Sequence, residues 1–215
     1  MPDQPFLDAR RTSLLVLDYQ HGIVQQLSDA DGLLNRVNAA IAGVRSHGGH
    51  VAWVRAALDD ADFDAIPESS VMAPRAAPQH RLLLHADAPT TRIDERLVPQ
   101  PDDMIVRRPR IGAFTTSDLD EQLRSRDVTT VILAGIVTSG VLLSTVFEAL
   151  DRDYRVVVLH DASGDRDPQV HEFLTEKIFP RYTVVVSADE LNSLWLMSSQ
   201  EQAVAEAHGD APRTQ

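Results

Sequence analysis

The chain has 215 residues, of which 43% are hydrophobic, and this is enough for one domain with a sizeable core. It contains no cysteine, which excludes disulfide bonds, thiolate metal ligands and thiol nucleophiles. The formal net charge of −12 argues against a general surface for nucleic acid or anionic membranes, so small molecules and other proteins remain as partners.

The first half of the chain predicts two strands around a helix, followed by a long irregular segment. Thr12–Asp18 is a short apolar run that ends in an acid, and His50–Arg55 is predicted to be a second strand. Between them, apolar residues recur at spacings of three and four, as in a helix, at Leu33, Leu34, Val37, Ile41 and Val44. Ala56–Thr91 is rich in Asp, Pro and Ala and has little periodicity, so we expect a long loop with at most a short helix.

The second half predicts strands that alternate with helices. Four apolar runs indicate strands at Met104–Val106, Thr129–Ala134, Arg155–Leu159 and Thr183–Val186. Four helices are predicted: one opened by a capping box of Ser117 and Asp120, one at Ser139–Leu150, one capped by Asp167 before Pro168, and one at Ala188–Leu196.

This alternation predicts an α/β fold with a single domain, in which a central parallel β-sheet carries helices on both faces in a Rossmann-like, three-layer arrangement. We place the domain at residues 12–197, with an N-terminal extension at 1–11 and a polar C-terminal tail at 198–215. Ligand sites of such sheets lie beyond the carboxyl ends of the strands, which indicates the stretches after Asp18, after Arg55 and at Gly135–Val141. The glycine fingerprint of dinucleotide-binding domains is absent, as are the Walker, G-x-S-x-G and H-E-x-x-H motifs.

Three segments resemble the isochorismatase-like family of cysteine hydrolases. They are LLVLDYQ at 14–20, VRRPRIGAFTTSDLDEQL at 106–123 and AGIVTSGVLLSTVFEALDRDYRVVVLHDA at 134–162. In the second segment the family has a lysine six residues before the Phe of an S/G-A-F-x-x-T run, and in the third it has G-x-x-T-x-x-C-V-x-x-T-x-x-x-A. Order and spacing are preserved from about residue 12 to about residue 190, so the chain is identified as a member of this family.

The resemblance implies a catalytic set of aspartate, lysine and cysteine, of which this chain keeps only the aspartate. The three positions correspond to Asp18, Arg108 and Val141. Valine offers no nucleophile, and arginine stays protonated where lysine can transfer a proton, so the thiol-based mechanism is lost. Ser139 and Ser144 do not replace the thiol: Ser139 precedes the nucleophile position by two residues and is expected to cap the helix, and Ser144 lies one turn along it.

The resemblance also implies a mechanism without a thiol. Family members that are true isochorismatases split a vinyl ether and release pyruvate, with an aspartate as the acid. We therefore expect Asp18 to act as a general acid on a small anionic metabolite. This metabolite is expected to be a carboxylate, and a vinyl ether is one form that it could take. Arg108 is expected to bind the carboxylate group of the substrate. Of the basic cluster Arg107, Arg108 and Arg110, one residue is expected to face the site and the others to lie on the surface or pair with Asp and Glu. The alternative is a catalytically degenerate member that binds a small carboxylate or a partner protein.

Further site residues follow from the same segments. The candidates for substrate binding are Gln20, His21, Phe114, Val137, Thr138, Ser139 and Gly140. The family often has a cis peptide bond before the threonine of the third segment, which predicts a cis bond at Val137–Thr138 and backbone amides that face an anion. His160, Asp161 and His171 are expected to be structural.

No cofactor and no metal are expected. Nicotinamidase-like members of the family bind a metal with an aspartate and histidines just after the second strand, whereas this stretch has no histidine before His80. Its four aspartates are expected to form a solvated lid: Asp59, Asp60, Asp62 and Asp64.

The remaining expectations concern partners and location. No apolar run approaches the roughly 18 residues of a membrane helix, and the first residues do not form a secretory signal, so we expect a cytoplasmic protein without membrane partners. The family commonly assembles, which implies a homodimer or a higher homo-oligomer. The ligand is expected to be a small anionic molecule, and no nucleic acid is expected.

Overall fold

The computed structural model describes residues 7–27 and 29–195, and its centre is one six-stranded sheet. The strands are β1 (Thr12–Leu17), β2 (His50–Ala56), β3 (Met104–Arg108), β4 (Thr130–Gly135), β5 (Arg155–Leu159) and β6 (Val184–Val186). All neighbouring strands are parallel, in the order β3-β2-β1-β4-β5-β6. The predicted α/β fold around a central parallel sheet is confirmed.

Helices cover the sheet. They are α1 (His21–Val24), α2 (Ala30–Ser46), α3 (Asp60–Asp64), α4 (Pro78–Leu84), α5 (Leu119–Arg124), α6 (Leu143–Leu150), α7 (Pro168–Phe173) and α8 (residues 188–195). A π-helical turn, Thr138–Leu142, leads into α6, and another, Leu174–Ile178, continues α7. Short 3-10 helices lie at Ala9–Arg11, Ala73–Ala76, Pro89–Thr91 and Phe179–Arg181. The predicted helix end at Leu196 and the predicted tail at 198–215 lie outside the described residues.

Successive side chains of a strand point to opposite faces of the sheet, so the hydrophobic core consists of two layers, one on each face. Leu14 and Val16 of β1 face the apolar stripes of α2 and α8, whereas Leu15 and Leu17 face those of α5 and α6. Every residue of β1 and β4 is buried, as expected for central strands that carry helices on both faces. Leu7 is buried in the first of these layers, so residues 7–11 of the predicted extension pack on the domain.

Of the two N-caps predicted for α7 and α5, the first is confirmed and the second is wrong. Asp167 caps α7 through Gln169 N (2.9 Å) with Pro168 at the first helical position, which confirms that prediction. The predicted capping box of Ser117 and Asp120 is wrong, because α5 begins one residue later than the motif requires and Ser117 instead donates to Ala113 O.

The segment between β2 and β3 differs from the predicted loop. Residues 57–92 contain α3, α4 and two 3-10 helices, folded around a small core of Leu58, Phe63, Ile66 and Met72. Helices of five and seven residues are too short to show a periodic apolar stripe, which is why the sequence pattern missed them. This segment is a packed wall at the carboxyl end of the sheet.

The strand order reverses direction between β1 and β4, and this places a crevice at their carboxyl ends. Leu17 pairs with Val54 of β2 and with Gly135 of β4, so the three strands end at nearly the same level. Asp18 and the turn after Gly135 therefore meet at the crevice. In the described part of the chain, no helix has the length and apolarity to cross a membrane.

Candidate functional site

A cavity of about 800 Å³ opens beyond the carboxyl ends of β1, β2 and β4. Asp18 and Arg108 are both buried and line it from the strand ends. Much of the remaining wall is apolar and comes from Ile23, Pro74, Leu83, Leu84, Ile111, Ile136, Val137 and Val141. A mostly apolar cavity with a few convergent charged groups is typical of a site for a small amphipathic ligand.

Backbone geometry aims Asp18 at this cavity. Its φ of 61° is in the left-handed region, which aspartate tolerates better than most residues other than glycine. Its amide donates to Val54 O (2.8 Å), and its carbonyl accepts from Gln20 N (2.7 Å). The chain thus turns sharply at the end of β1, and the acid is fixed at the turn.

Arg108 reaches Asp18 because of the strand register. Leu17, Val54 and Val106 are level across the sheet, so Arg108 extends two residues beyond the last residue of β1. Its Nε donates to Oδ1 of Asp18 (3.0 Å), its Nη2 donates to Oδ2, and its Nη1 donates to Arg110 O. The pair is a two-point ion pair of the kind that arginine forms with carboxylates.

Two opposing effects set the protonation of Asp18. Burial raises the pKa of the Asp18 carboxyl above its usual range, and the charge and hydrogen bonds of Arg108 act against that rise. Because burial is the larger effect, any ligand that draws Arg108 away from Asp18 favours the protonated acid.

Val141, which the resemblance aligns with the family's cysteine, lines the cavity together with Val137 and Gly140. The cis peptide bond of this turn is Ile136–Val137, so the prediction of Val137–Thr138 is wrong by one residue. The sequence motif predicts that this turn contains a cis peptide bond, but it does not identify which bond of the turn is cis.

The amides of this turn already have acceptors inside the chain. Thr138 N donates to Gly164 O (2.8 Å), Ser139 N to Asp165 Oδ2 (2.7 Å) and Gly140 N to Val137 O (3.1 Å). The expected set of amides facing an anion is therefore not present at these three residues. Ser139 is exposed outside the cavity lining, and α6 with its π-turn has no side-chain cap, so the predicted capping role is wrong.

Thr138 and Phe114 lie behind the wall rather than on it. Thr138 is fully buried, and its Oγ1 is 2.7 Å from Nδ1 of His171, whose pKa is lowered by burial. Phe114 packs in the core beside Tyr154, with ring centroids 5.6 Å apart. His171 is structural, as predicted, and Asp161 also has a structural role, because its Oδ1 accepts from Ala188 N (2.9 Å).

Gln20 lines the cavity, but all of its amide bonds are made within the chain. Its Nε2 donates to Ala56 O (3.0 Å) and Thr91 O (2.8 Å), and its Oε1 accepts from Ala56 N (2.7 Å). The side chain fastens the end of β1 to β2 and to the 3-10 helix that ends at Thr91. His21 is not part of the cavity lining, because its ring turns to Gln25 (2.9 Å between Nε2 atoms).

Arg75 is a site residue that sequence reasoning missed. It belongs to the 3-10 helix Ala73–Ala76 and lines the cavity close enough to Asp18 and Arg108 for both charges to influence its pKa, which burial lowers. Arg166 also lines the cavity. No motif marks either residue, and the signal that was available is only that each is an arginine in a loop following a strand.

The aspartates after β2 do not form a free lid. Arg107 pairs with Asp59 (3.0 Å) and with Asp62, while Arg81 pairs with Asp60 (3.6 Å) and with Asp64. The four carboxylates are therefore paired with two arginines rather than free, although Asp60 and Asp64 remain largely exposed, as expected of solvated acids. Across residues 7–27 and 29–195, no cluster of three His, Asp or Glu side chains is arranged to hold a metal ion.

Comparisons with known proteins agree with this architecture. The sequence profile of the Isochorismatase domain matches residues 12–190. The uncharacterized isochorismatase family protein YecD of Escherichia coli O157:H7 is 31% identical over 199 residues, which cover 87% of this chain and 98% of that protein. The ureidoacrylate amidohydrolase RutB of Methylobacterium radiotolerans is 27% identical over 187 residues, covering 78% and 72%.

Solved structures show the same fold. An isochorismatase family protein from Burkholderia thailandensis superposes with a TM-score of 0.76 at 26% identity, covering 89% of this chain and 98% of that one. A cysteine hydrolase from Pseudomonas syringae gives a TM-score of 0.80 at 22% identity, covering 91% and 97%. Together with the matched profile and the identity to YecD, these likenesses lead to one conclusion: the chain belongs to the isochorismatase-like hydrolase family.

Proposed function

We propose that this family member is a hydrolase that acts without a covalent intermediate, with Asp18 as general acid, on a small anionic carboxylate of the vinyl-ether type. The observation that carries the proposal is the buried Asp18–Arg108 pair at the strand-end wall of the cavity. An acid that must donate a proton near neutral pH needs a raised pKa, and burial supplies this for Asp18.

The cavity argues against the alternative of covalent hydrolysis. The family's cysteine is Val141, the chain has no other cysteine, and no serine lines the cavity among the described residues. The hydroxyls of Thr90 and Thr91 donate to the backbone carbonyls Leu83 O (2.6 Å) and Ala88 O (2.9 Å). The amide hydrolysis named for RutB therefore does not carry over through a thiol nucleophile.

The proposed reaction begins when the substrate carboxylate binds the outward N–H groups of Arg108. This contact weakens the hold of Arg108 on Asp18, so the carboxyl takes up a proton. Asp18 then donates that proton to the terminal alkene carbon of the enol ether, which leaves an oxocarbenium ion. Water adds to the cationic carbon and returns a proton to Asp18. The hemiketal breaks its C–O bond and releases pyruvate and an alcohol.

Pyruvate release from isochorismate tests this proposal. We expect release by the wild-type protein and its loss in Asp18→Asn, with Asp102→Asn as a matched control because Asp102 is exposed and does not line the cavity. Asp18→Asn leaves Arg108 buried without its carboxylate, so Asp18→Asn/Arg108→Met is a second test in which the whole pair is replaced. Release that persists in folded Asp18→Asn would contradict acid catalysis by Asp18.

A second candidate is a binding protein without turnover. This candidate is favoured because the polar groups near the cavity already have hydrogen-bond partners within the chain. These groups are the Gln20 side chain and the amides of Thr138, Ser139 and Gly140. This candidate requires saturable binding of a carboxylate with no pyruvate release from the same preparation.

A further inference from the structure

Arg108 is oriented by a backbone carbonyl as well as by Asp18. Its Nη1 donates to Arg110 O, two residues further along the chain, while its Nε and Nη2 donate to the Asp18 carboxylate. Because a guanidinium is planar and rigid, an acceptor for Nη1 also fixes the direction in which the other N–H groups point. The path of the backbone after β3 therefore determines how Arg108 meets Asp18.

A carboxylate of α6 holds this stretch of backbone, residues 109–115, which we call the β3 loop. Phe114 N donates to Oε2 of Glu148 (2.9 Å), and the Thr115 hydroxyl donates to Oε1. Gly112 lies so close to the same carboxylate that a Cβ at this position would overlap it. Hydrogen bonds to an ionised acceptor are stronger than those between neutral groups, so Glu148 attaches the loop strongly.

The helix that carries Glu148 also reaches the cavity. Thr145, one turn before Glu148 on the same face of α6, accepts from Ala113 N (3.3 Å) and so adds a second attachment for the loop. At its other end, α6 continues directly from the π-helical turn Thr138–Leu142, which carries the cavity residue Val141. One helix thus connects this turn with the loop that follows Arg108.

We propose that Glu148 is a positioning residue of the site, which holds the β3 loop so that Arg110 O directs Arg108 onto Asp18. Glu148 is not part of the cavity lining, and it acts through the loop rather than on a ligand. The inference adds a residue to the site of the proposed hydrolase and in that respect rests on the proposed function.

The ionisation of Asp18 reports the position of Arg108 without any turnover. Burial raises the pKa of Asp18, and the charge and hydrogen bonds of Arg108 act against that rise. The other charged group that acts on this carboxyl is Arg75, whose 3-10 helix belongs to the segment between β2 and β3 rather than to the β3 loop. A loosened Arg108 should therefore allow the pKa of Asp18 to rise further.

Carbon-13 NMR of protein labelled at the aspartate carboxyl carbons measures this pKa, with the Asp18 signal assigned by its absence in Asp18→Asn. The decisive comparison is Glu148→Met with Glu148→Gln, because both remove the same negative charge. Glutamine can still accept from Phe114 N and donate to the Thr115 hydroxyl oxygen, whereas methionine can do neither.

We expect a higher pKa of Asp18 in Glu148→Met than in Glu148→Gln. Loss of a negative charge can only lower the pKa of another acid, so a rise above wild type reports the lost hydrogen bonds. Pyruvate release gives a second readout: KM for isochorismate should be about ten-fold higher in Glu148→Met than in Glu148→Gln, because a misdirected Arg108 holds the substrate carboxylate less well.

A pair of threonine variants repeats the test at exposed positions, where folding is not at risk. Thr115→Val removes one of the two bonds to Glu148, and Thr116→Val changes the neighbouring exposed residue, which has no part in them. The pKa of Asp18 should rise in Thr115→Val and stay at the wild-type value in Thr116→Val.

Equal pKa values of Asp18 in Glu148→Met and Glu148→Gln would overturn the inference, as would equal values in the two threonine variants. The NMR titration does not depend on turnover, which separates the two proposals. The expected pKa differences without pyruvate release reject only the acid mechanism, and pyruvate release with equal pKa values rejects only the role of Glu148.

Discussion

Val141 presents an isopropyl group at the position where the resemblance places the thiol of the family's cysteine hydrolases, and it lines the cavity together with Arg75, Arg108 and Arg166. The chain contains no cysteine, so an introduced thiol reports on its own position alone. This makes position 141 a probe of the electrostatic potential inside the cavity. Ser139, two residues earlier, is exposed outside the cavity lining with its amide on Asp165, and it provides the matched comparison.

We predict that Val141→Cys prefers an anionic alkylating reagent. The ratio of its rate with iodoacetate to its rate with iodoacetamide should exceed that of Ser139→Cys by about ten-fold, because positive potential in a cleft raises the local concentration of anions. Mass spectrometry of timed reactions gives both ratios. Equal ratios for the two variants would show that position 141 does not face a cationic cavity.

The Asp18–Arg108 pair makes stability depend on pH in a defined direction. Burial raises the pKa of Asp18 above its value in the unfolded chain. Stability from this group is therefore fully present below the unfolded pKa and is lost as the pH rises through the folded pKa. Arg108 limits the loss, because it stabilises the ionised carboxylate.

We predict that Arg108→Met increases this loss of stability with pH. Removing one partner of a buried ion pair costs about 3–5 kcal/mol when the other remains charged, so the deficit should be small in acid and approach that value near neutral pH. Urea unfolding over a pH series measures it. Asp18→Asn/Arg108→Met lacks the titrating carboxyl and should not show this added loss. A pH-independent deficit in Arg108→Met would mean that Asp18 does not titrate as described.

At the scale of elements, Gln20 connects three pieces of chain that surround the cavity. Its three bonds join the end of β1 to the backbone N–H and the backbone C=O of Ala56 and to the carbonyl of Thr91. The side chain is buried, so removing its amide leaves buried backbone groups with fewer hydrogen-bond partners.

We predict that Gln20→Met lowers the free energy of unfolding by about 2–4 kcal/mol, because a similar volume is retained while the N–H and C=O of Ala56 lose this partner and Thr91 O keeps only Arg55 Nη1 (3.4 Å). Gln25→Met, on the exposed side of the same turn, should stay within about 0.5 kcal/mol of wild type. Urea unfolding should show a lower midpoint with an unchanged slope. Equal midpoints for the two variants would contradict the structural role of Gln20.

The strands and long helices were predictable because their signals are local. A continuous apolar run, as at Thr129–Ala134, reflects a strand that is buried on both faces. An apolar stripe, as at Leu33, Val37 and Ile41, reflects a helix that is buried on one face. Asp18, Arg108 and Val141 were predictable because a strand end or a motif marks each position. Arg75 was not, since its place in the site depends on how α4 and the 3-10 helix pack, and this packing follows from a small core rather than from periodicity.

Contacts across the chain also explain the wrong expectations. Asp59 and Asp62 appeared unpaired because their partner, Arg107, lies 45 or more residues away in sequence. The amides of Thr138 and Ser139 appeared free to bind an anion because their acceptors come from the loop after β5. Pairings between distant segments are set by strand order, which no local pattern contains.

At the scale of the whole molecule, the resemblance implies a homo-oligomer, and one surface fits that expectation. Phe147 of α6 and Tyr182 are 38% and 56% exposed, with their rings in edge contact at 5.4 Å. Phe173 of α7 is also exposed. Exposed aromatic groups such as the Phe147–Tyr182 pair are typical of an interface between protein chains.

We predict that Phe147→Ser/Tyr182→Ser shifts the mass in light scattering from an oligomer to a single chain. Val98→Ser, which removes an exposed apolar group elsewhere, should leave the mass unchanged. A monomeric wild-type protein, or a double variant that stays assembled, would contradict this interface.

The proposed reaction depends most on Asp18 as a proton donor, and the pH dependence of kcat/KM for pyruvate release from isochorismate tests that role most directly. In the wild-type protein we expect kcat/KM to fall at high pH, where the carboxyl has lost its proton. Asp18→Asn should lose this descending limb together with the activity, while Asp102→Asn keeps both. An Asp18→Asn variant with the wild-type rate and pH profile would contradict the account.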